Sequence, residues 1–530
     1  MKVHALSVWF ALLVVSACGG PREAPAPVPA APAPVTAASA APSAAPSGPA
    51  RLLVLSAMNG YVEPCGCTID LTLGGIDKTV RAIEAERRQG PTAVLVVGAT
   101  LFDPEVDDAH LADQETAKAE VLGRALSRIG VDAWVPTRTE LKYGAAVYAA
   151  ARGEARLPDA TVNVSGGQPR LLALGDLRVG VFGLASPESG ATPAGHPSDP
   201  EPAAREATRS LRAQGAQVVV GLAVLPRRAL RTLARRLPEV DLWVLGDHAN
   251  EEPQVLPAGP LDAESGQRPG YLIEAGDRGR HVARVLLHDA HLPGLLRDPV
   301  GDRDRTLRAE EAQLKMQKDL LTRSGDPTLA QRIETSTRAL EALRAQTVAP
   351  EGKRLEFSLV PIDKALPADE VVTGWLTAYN ARLKEINLAS VAPVPPLPEG
   401  ASGFAKGSAC VECHEEAQAV WKGTPHARAW ETLVKLDKTF DAECVSCHVT
   451  GWLAPGGVNL KDLSGMTDVQ CEACHGPSAD HVDQGGEVAA TKRAVPADVC
   501  TVCHNRFHSP KFDYATYLPK VLGPGHLAKE

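Results

Sequence analysis

Aromatic residues are scarce: Phe, Trp and Tyr make up 4 % of the 530 residues, and Met occurs four times. A basic surplus is missing as well. Lys and Arg total 55 against 64 Asp and Glu, a formal charge of −9, where a nucleic-acid-binding surface needs the opposite sign. No nucleic-acid partner is expected. Beyond the first 17 residues, no apolar run reaches the length that a membrane-crossing helix needs, so an internal span is excluded. Apolar residues nonetheless reach 44 %, enough for packed cores. The length is too great for one core and suggests three or four domains of about 150 residues each. Pro (43) is partly concentrated in linkers, and the placement of the 11 Cys is the most informative fact in the chain.

Lys2 and His4 precede an apolar run over residues 5–15, then Ser16-Ala17-Cys18. A short basic start, an apolar stretch and small residues before a cleavage point read as a secretory signal. Val15-Ser16-Ala17-Cys18 resembles the bacterial lipobox, which implies lipid on Cys18 and a membrane anchor there; Gly19 in place of Asp implies the outer rather than the inner membrane. A plain signal peptide with an incidental Cys is the alternative. Residues 19–50 are nearly all Pro, Ala, Ser, Gly and Val, a composition that buries no core and acts as a tether.

Residues 51–300 alternate short β-branched or Leu runs with helical stretches, which predicts a layered α/β domain. Strands are expected at 51–55, 93–97, 133–135, 179–183, 218–222 and 242–246, with Tyr271-Leu272-Ile273-Glu274 and the run 282–287 forming a closing hairpin. Residues 301–348 read as a helical-hairpin spacer broken near Ser324-Gly325-Asp326-Pro327, with Asp326 and Pro327 starting the second helix. A strand and helix follow over 349–390, then a Pro-rich linker at 391–402. The expected organisation is a signal (1–18), a linker (19–50), these segments and a C-terminal domain over 403–530 that is mostly helical or irregular.

That last segment holds Cys410-Val411-Glu412-Cys413-His414, Cys444-Val445-Ser446-Cys447-His448, Cys471-Glu472-Ala473-Cys474-His475 and Cys500-Thr501-Val502-Cys503-His504. C-x-x-C-H is the attachment motif for c-type haem: two thiols form thioethers with the vinyl groups, and the adjacent His reaches the iron. A zinc site would need paired half-sites, and disulfides would not require the His. Four covalent haems are expected, with His414, His448, His475 and His504 as proximal iron ligands. Four further histidines in the segment, His426, His481, His508 and His526, suggest bis-histidine coordination throughout; Met466 is the alternative soft ligand. So little protein per haem means that the haems supply most of the apolar core. Trp421, Trp430 and Trp452 are expected to pack against them.

This segment resembles the multihaem cytochrome c family typified by cytochrome c-554, over about 401–530. The likeness rests on Trp421-Lys422-Gly423-Thr424-Pro425-His426-Ala427-Arg428-Ala429, on the phrase from Cys444 to Gly451, and on Val469-Gln470-Cys471-Glu472-Ala473-Cys474-His475-Gly476-Pro477 with His481 after it. The resemblance implies closely packed haems, electron transfer to redox partner proteins, and distal ligation by His426 and His481. His508 matches its place less firmly, and His526 least.

Residues 51–300 resemble the calcineurin-like metallophosphatase domain of periplasmic 5′-nucleotidases. The landmarks are Asn59-Gly60, Gly74-Gly75-Ile76, the strand from Val94 to Asp103, Gly130-Val131-Asp132-Ala133, Glu140-Leu141 with Gly144, and the run from Val240 to His248. The family's metal ligands are mostly missing. Ser56-Ala57-Met58 carries no Asp-x-His, Gly98 is followed by Ala99, and Thr137-Arg138 stands where Asn-His belongs; at most Asp247 and His248 survive. A two-metal hydrolase needs a full set of ligands to make hydroxide, so the segment reads as a phosphatase scaffold without phosphatase chemistry. Glu63-Pro64-Cys65-Gly66-Cys67 looks like the P-C-x-C loop of a nucleotidase-like group found beside secreted cytochromes. Cys65 and Cys67 could be a disulfide, a metal pair or a redox couple.

The expected function is a lipid-anchored tetrahaem electron carrier in the periplasm or outer membrane of a Gram-negative bacterium, not an enzyme, with the N-terminal domain for docking. The alternatives are a multihaem redox enzyme acting on a small nitrogen or sulfur species, which needs an iron with an open position, and a metal-dependent nucleotidase-like hydrolase.

Overall fold

The computed structural model describes residues 48–64, 73–106, 109–153, 155, 157–246, 253–259, 270–346, 351–490, 492–505, 508–509 and 511–526. Cys18, Cys65, Cys67, Asp247 and His248 lie outside them. Residues 45–530 form one compact unit.

Two sheets organise its first part. The first has the order β11-β10-β1-β2-β3: β1 (Ala50–Ser56), β2 (Thr92–Val97) and β3 (Ala133–Val135) run parallel, and β10 (His281–His288) and β11 (Arg354–Pro361) add antiparallel. The second has the order β4-β5-β6-β7-β9-β8. In it β5 (Leu177–Ala185), β6 (Val218–Val224), β7 (Leu242–Leu245) and β9 (Tyr271–Glu274) run parallel between antiparallel edges β4 (Arg170–Leu174) and β8 (Gln254–Pro257).

Period-two alternation explains the layers. Leu52 and Val54 of β1 point into the core between the sheets with Leu95, Val97, Val181, Val220, Leu222 and Val244. Leu53 and Leu55 point the other way, onto α1 (Ile76–Arg87), α2 (Ala112–Ile129) and, from far along the chain, α8 (Glu370–Ala389). α3 (Ala145–Arg152) adds Ala151 to this layer. Beyond the second sheet, Phe182, Trp243 and Leu245 pack on α4 (Pro200–Ala213) and α5 (Arg227–Arg236). The order is helix, sheet, sheet, helix. Strands covered on both faces need apolar side chains at both, which is why they read as continuous runs. Where β2 and β7 end, the backbones meet so closely that a Cβ on Gly98 would stand 2.3 Å from the Gly246 carbonyl oxygen.

The expected closing hairpin does not form. β9 pairs with β7 and β8 in the second sheet, whereas β10 pairs with β1 and β11 in the first. Residues 275–280 cross between the sheets. Both strands are rich in buried apolar residues, and such a pattern does not encode which neighbour a strand takes.

α6 (Pro299–Ser324) and α7 (Pro327–Ala345) separate β10 from β11. Each starts at an Asp whose carboxylate accepts from a backbone N–H, Asp298 from Gly301 and Asp326 from Thr328, with Pro at the first helical position. The two helices bury few residues of their own, Leu314, Leu329 and Leu340. No helix among the described residues is long and apolar enough to cross a membrane.

Candidate haem centres

After residue 390 the elements shorten: α9 (Glu415–Lys422), α10 (Ala429–Lys435), α11 (Ala442–His448), α12 (Cys471–His475), α13 (Ala479–Asp483) and α14 (Ala497–Thr501). The second and third C-x-x-C-H motifs lie within α11 and α12, the fourth starts in α14, and the first occupies turns before α9. The apolar cluster of this segment has just seven buried members, including Leu433, Val445, Leu460 and Met466. Met466, the alternative ligand, is packed inside that cluster, 2 % exposed. None of the eight motif cysteines is paired in a disulfide.

Four of the histidines lie in two pairs. The rings of His414 and His481 lie 6.2 Å apart, centre to centre and 27° from parallel; those of His426 and His504 lie 6.1 Å apart. Two imidazoles ligating one metal ion from opposite sides, with metal–nitrogen bonds of about 2 Å, have ring centres roughly 6 Å apart. His526 sits near His475 and His414, and its Nδ1 is buried with no hydrogen-bond partner among the described residues. Burial first, then these two rings, pushes its pKa down. Burial and then the His504 ring do the same to His426, and burial alone to His504. All three shifts favour the neutral ring that a metal requires.

Several rings are also aimed. His448 Nδ1 faces the Ala429 carbonyl oxygen at 2.5 Å, His475 Nδ1 that of Lys492 at 2.8 Å, and His481 Nδ1 that of Val488 at 2.5 Å; His504 Nδ1 meets the Ser509 hydroxyl at 3.2 Å. An Nδ1–H given to a carbonyl fixes the tautomer and leaves Nε2 as the electron-pair donor, the usual arrangement behind a metal-ligating His. Thiols approach across motifs too. Cys410 is hydrogen-bonded to Cys471, which raises the first thiol and lowers the second to about 7; Cys503 is likewise bonded to Cys447. The first motif therefore neighbours the third, and the second neighbours the fourth. Thiols, neutral imidazoles and a small apolar core are a donor set that fits c-type haem.

Sequence reasoning missed what surrounds the second motif. Gln114 of α2 donates from Nε2 to Asp441 Oδ1 at 2.9 Å, and Asn387 of α8 donates to Gln114 Oε1 and to the Phe440 carbonyl, both at 2.6 Å. Lys118 bonds Glu443 Oε1 at 2.8 Å and also Glu115. Lys438 reaches Glu63 at 2.5 Å and Asn380 at 2.7 Å. Burial raises the Glu115 carboxyl well above the usual range. Burial acts the same way on Glu443, but Lys118 outweighs it and holds that carboxyl down to about 2. The cluster thus keeps one proton and one ion pair. Helical spacing of Gln114, Glu115 and Lys118 was the available signal, and it reads as an ordinary solvated face.

At the strand ends, Ser56 closes β1 and Ala57, Met58 and Asn59 follow it, and Gly98, Ala99 and Thr100 follow β2. Glu140 is fully buried there; it accepts from the Thr100 N–H at 2.7 Å and the Leu101 N–H at 3.0 Å, and burial raises it to about 8. Among the described residues no group of three or more His, Cys, Asp or Glu is arranged to hold a metal ion.

Residues 409–476, which contain the first three motifs, match the family described as cytochrome c554 and c-prime. The fourth motif lies past the end of that match and rests on its own spacing. The chain is 31 % identical over 150 residues to cytochrome c-554 of Nitrosomonas europaea, covering 21 % of this chain and 64 % of that protein. Among solved structures it is similar to a 5′-nucleotidase precursor from Thermus thermophilus (16 % identity, 63 % of this chain and 59 % of that one, TM-score 0.42). It is also similar to a putative 5′-nucleotidase from Staphylococcus aureus (15 % identity, 66 % and 60 %, TM-score 0.41). The chain thus spans about three fifths of the length of each relative. The ground for the α/β architecture is the strand order itself rather than these superpositions. The C-terminal segment is cytochrome c-554-like, and its cofactor is c-type haem.

Proposed function

We propose that the protein is a secreted tetrahaem cytochrome that carries electrons between redox partner proteins, anchored by lipid on Cys18 in the periplasm or outer membrane of a Gram-negative bacterium. Bound haem supplies reversible one-electron chemistry. The protein's part is to fix the ligands. Cys410 and Cys413, Cys444 and Cys447, Cys471 and Cys474, and Cys500 and Cys503 attach the four groups, with His414, His448, His475 and His504 as proximal ligands. His481 stands opposite His414 and His426 opposite His504, the observation that carries this reading. We assign His526 to the site of His475, beside which it lies, and His508 to that of His448, because His508 and Cys447 line one cavity. With an imidazole held on each side, the bound iron would be closed to substrate, which favours transfer over catalysis.

The N-terminal half is read as a phosphatase-like scaffold without hydrolytic chemistry, serving to position the haem segment and dock partners. Ser56-Ala57-Met58 at the end of β1, Gly98-Ala99 after β2 and Thr137-Arg138 after β3, where the resembled family carries Asp, Asn and His ligands, support this. Cys65 and Cys67 remain a candidate disulfide, metal pair or redox couple. The test is the purified holoprotein. Its mass should exceed that of the chain by four haems, acid acetone should extract none, and carbon monoxide should bind none of the irons. Fewer than four haems would refute the tetrahaem reading; carbon monoxide at one iron would favour a multihaem redox enzyme.

A further inference from the structure

A cavity of about 410 Å³ opens beside Cys447, and both halves of the molecule wall it. From the haem segment come Cys447, Trp452 and Leu460; from the α/β half come Tyr61, Asp103 and Arg278. The second set has a common origin. Tyr61 follows β1, Asp103 follows β2, and Arg278 follows β9, all at the carboxyl ends of parallel strands, where open α/β sheets place their ligands. Their backbone is held in unusual shapes: Ala57, Asn59 and Arg278 all have positive φ, at 43°, 51° and 53°. Such strain persists where surrounding structure enforces it and collects at functional sites.

Arg278 is 6 % exposed. Its guanidinium lies 4.4 Å from the Tyr61 ring centre and 3.9 Å from the Asp103 carboxylate, and its backbone N–H donates to the Ala57 carbonyl oxygen at 2.8 Å. Burial raises the Asp103 carboxyl, and the Arg278 guanidinium beside it works in the opposite direction. Beside the cavity, α11, which carries Cys444, Cys447 and His448, is tied to α2 through Gln114–Asp441 and Lys118–Glu443. The other two motif helices show no comparable tie among the hydrogen bonds of the described residues; Glu472 of α12 accepts from Ala405, Lys406 and Ser478 within the haem segment itself.

We propose that this cavity seats the haem attached at Cys444 and Cys447, with the strand ends of the phosphatase-like half forming one wall of its pocket and Arg278 acting as the buried counter-cation. The α/β half is then part of one haem site rather than a passive neighbour. The place where a metallophosphatase would hold its metal ions serves a porphyrin instead. This rests on the tetrahaem reading above. Reduction removes one positive charge from a haem, so a nearby guanidinium favours the reduced form.

The experiment is a redox titration of the full holoprotein resolving its four components. Arg278→Gln should shift one component towards the oxidised form by about tenfold in its equilibrium constant, which is 59 mV downward for a one-electron couple, and move the other three by less. Arg278→Lys should stay within about twofold of wild type, because the charge remains. Glu105 also lines the cavity, at an exposed position where substitution costs little folding stability. Glu105→Gln should move the same component the other way by about twofold to threefold, and it keeps the test open if Arg278→Gln does not fold. Four haems by mass with no component moved by either neutral variant overturns this proposal alone. An equal shift in the Lys and Gln variants of Arg278 also overturns it. Fewer than four haems overturns the tetrahaem reading instead.

Discussion

Lys118 sits where the two halves join, and replacing it with Met removes a cation from between two carboxylates. Its side chain is 8 % exposed, that of Glu115 0 % and that of Glu443 30 %. Met fills nearly the same volume, so the loss is electrostatic. Removing one partner of a buried ion pair costs about 3–5 kcal/mol, because the other charge stays behind without compensation. The 30 % exposure of Glu443 lets water share that charge, which places the expected cost near the lower end, about 3 kcal/mol.

The pH dependence is opposite in the two proteins. In the native chain Lys118 holds Glu443 down to about 2. That contribution is present above the unfolded carboxyl's value of about 4.3 and is lost as pH falls through about 2. In Lys118→Met the chief lowering influence is gone, and burial, opposed only by the Glu115 hydrogen bond and the more distant His508, raises Glu443. Stability is then kept below about 4.3 and lost as pH rises through the raised value. The deficit against wild type should be smaller at about pH 4, where only the native ion pair is missing, than at about pH 7, where the stranded Glu443 charge adds to it. Guanidinium denaturation of the two holoproteins, followed by far-ultraviolet circular dichroism at both values, measures it. Lys118→Met/Glu443→Gln should recover most of the loss, since it removes the stranded charge. A deficit under about 1 kcal/mol at neutral pH, or no recovery in the double variant, would refute the reasoning.

His481→Ala should turn the haem at Cys410 and Cys413 high-spin and open it to carbon monoxide, and His426→Ala should do so for the haem at Cys500 and Cys503. An unchanged optical spectrum in either would remove that His from the ligand set. Cys18→Ser should move the protein from the membrane fraction to the soluble periplasmic fraction; retention on membranes would end the lipid-anchor proposal.

What is local could be read from the residues alone. Haem attachment is written in five consecutive residues because the two thioethers and the proximal ligand come from one turn of chain. The strands from 51–55 to 242–246 were legible because burial on both faces leaves no polar alternation to confuse them with loops. The Asp326-Pro327 helix start was legible because a cap acts on N–H groups two residues away. Everything else depended on which distant segments meet. The 271–274 and 282–287 runs were each visible as strands, yet they belong to different sheets, since hydrogen-bond partners across a sheet leave no mark in a buried strand's composition. The facing of His414 with His481 and His426 with His504 could be suspected from counting but was decided only by chain reversal between motifs. Gln114, Glu115 and Lys118 looked like surface helix residues. Only packing α2 against α11 made them a buried cluster, and only the convergence of strand ends on Cys447 gave Arg278 a place beside one haem site. Covalent chemistry and periodic burial act within a few residues of themselves, whereas pairing, enclosure and desolvation are properties of the folded chain.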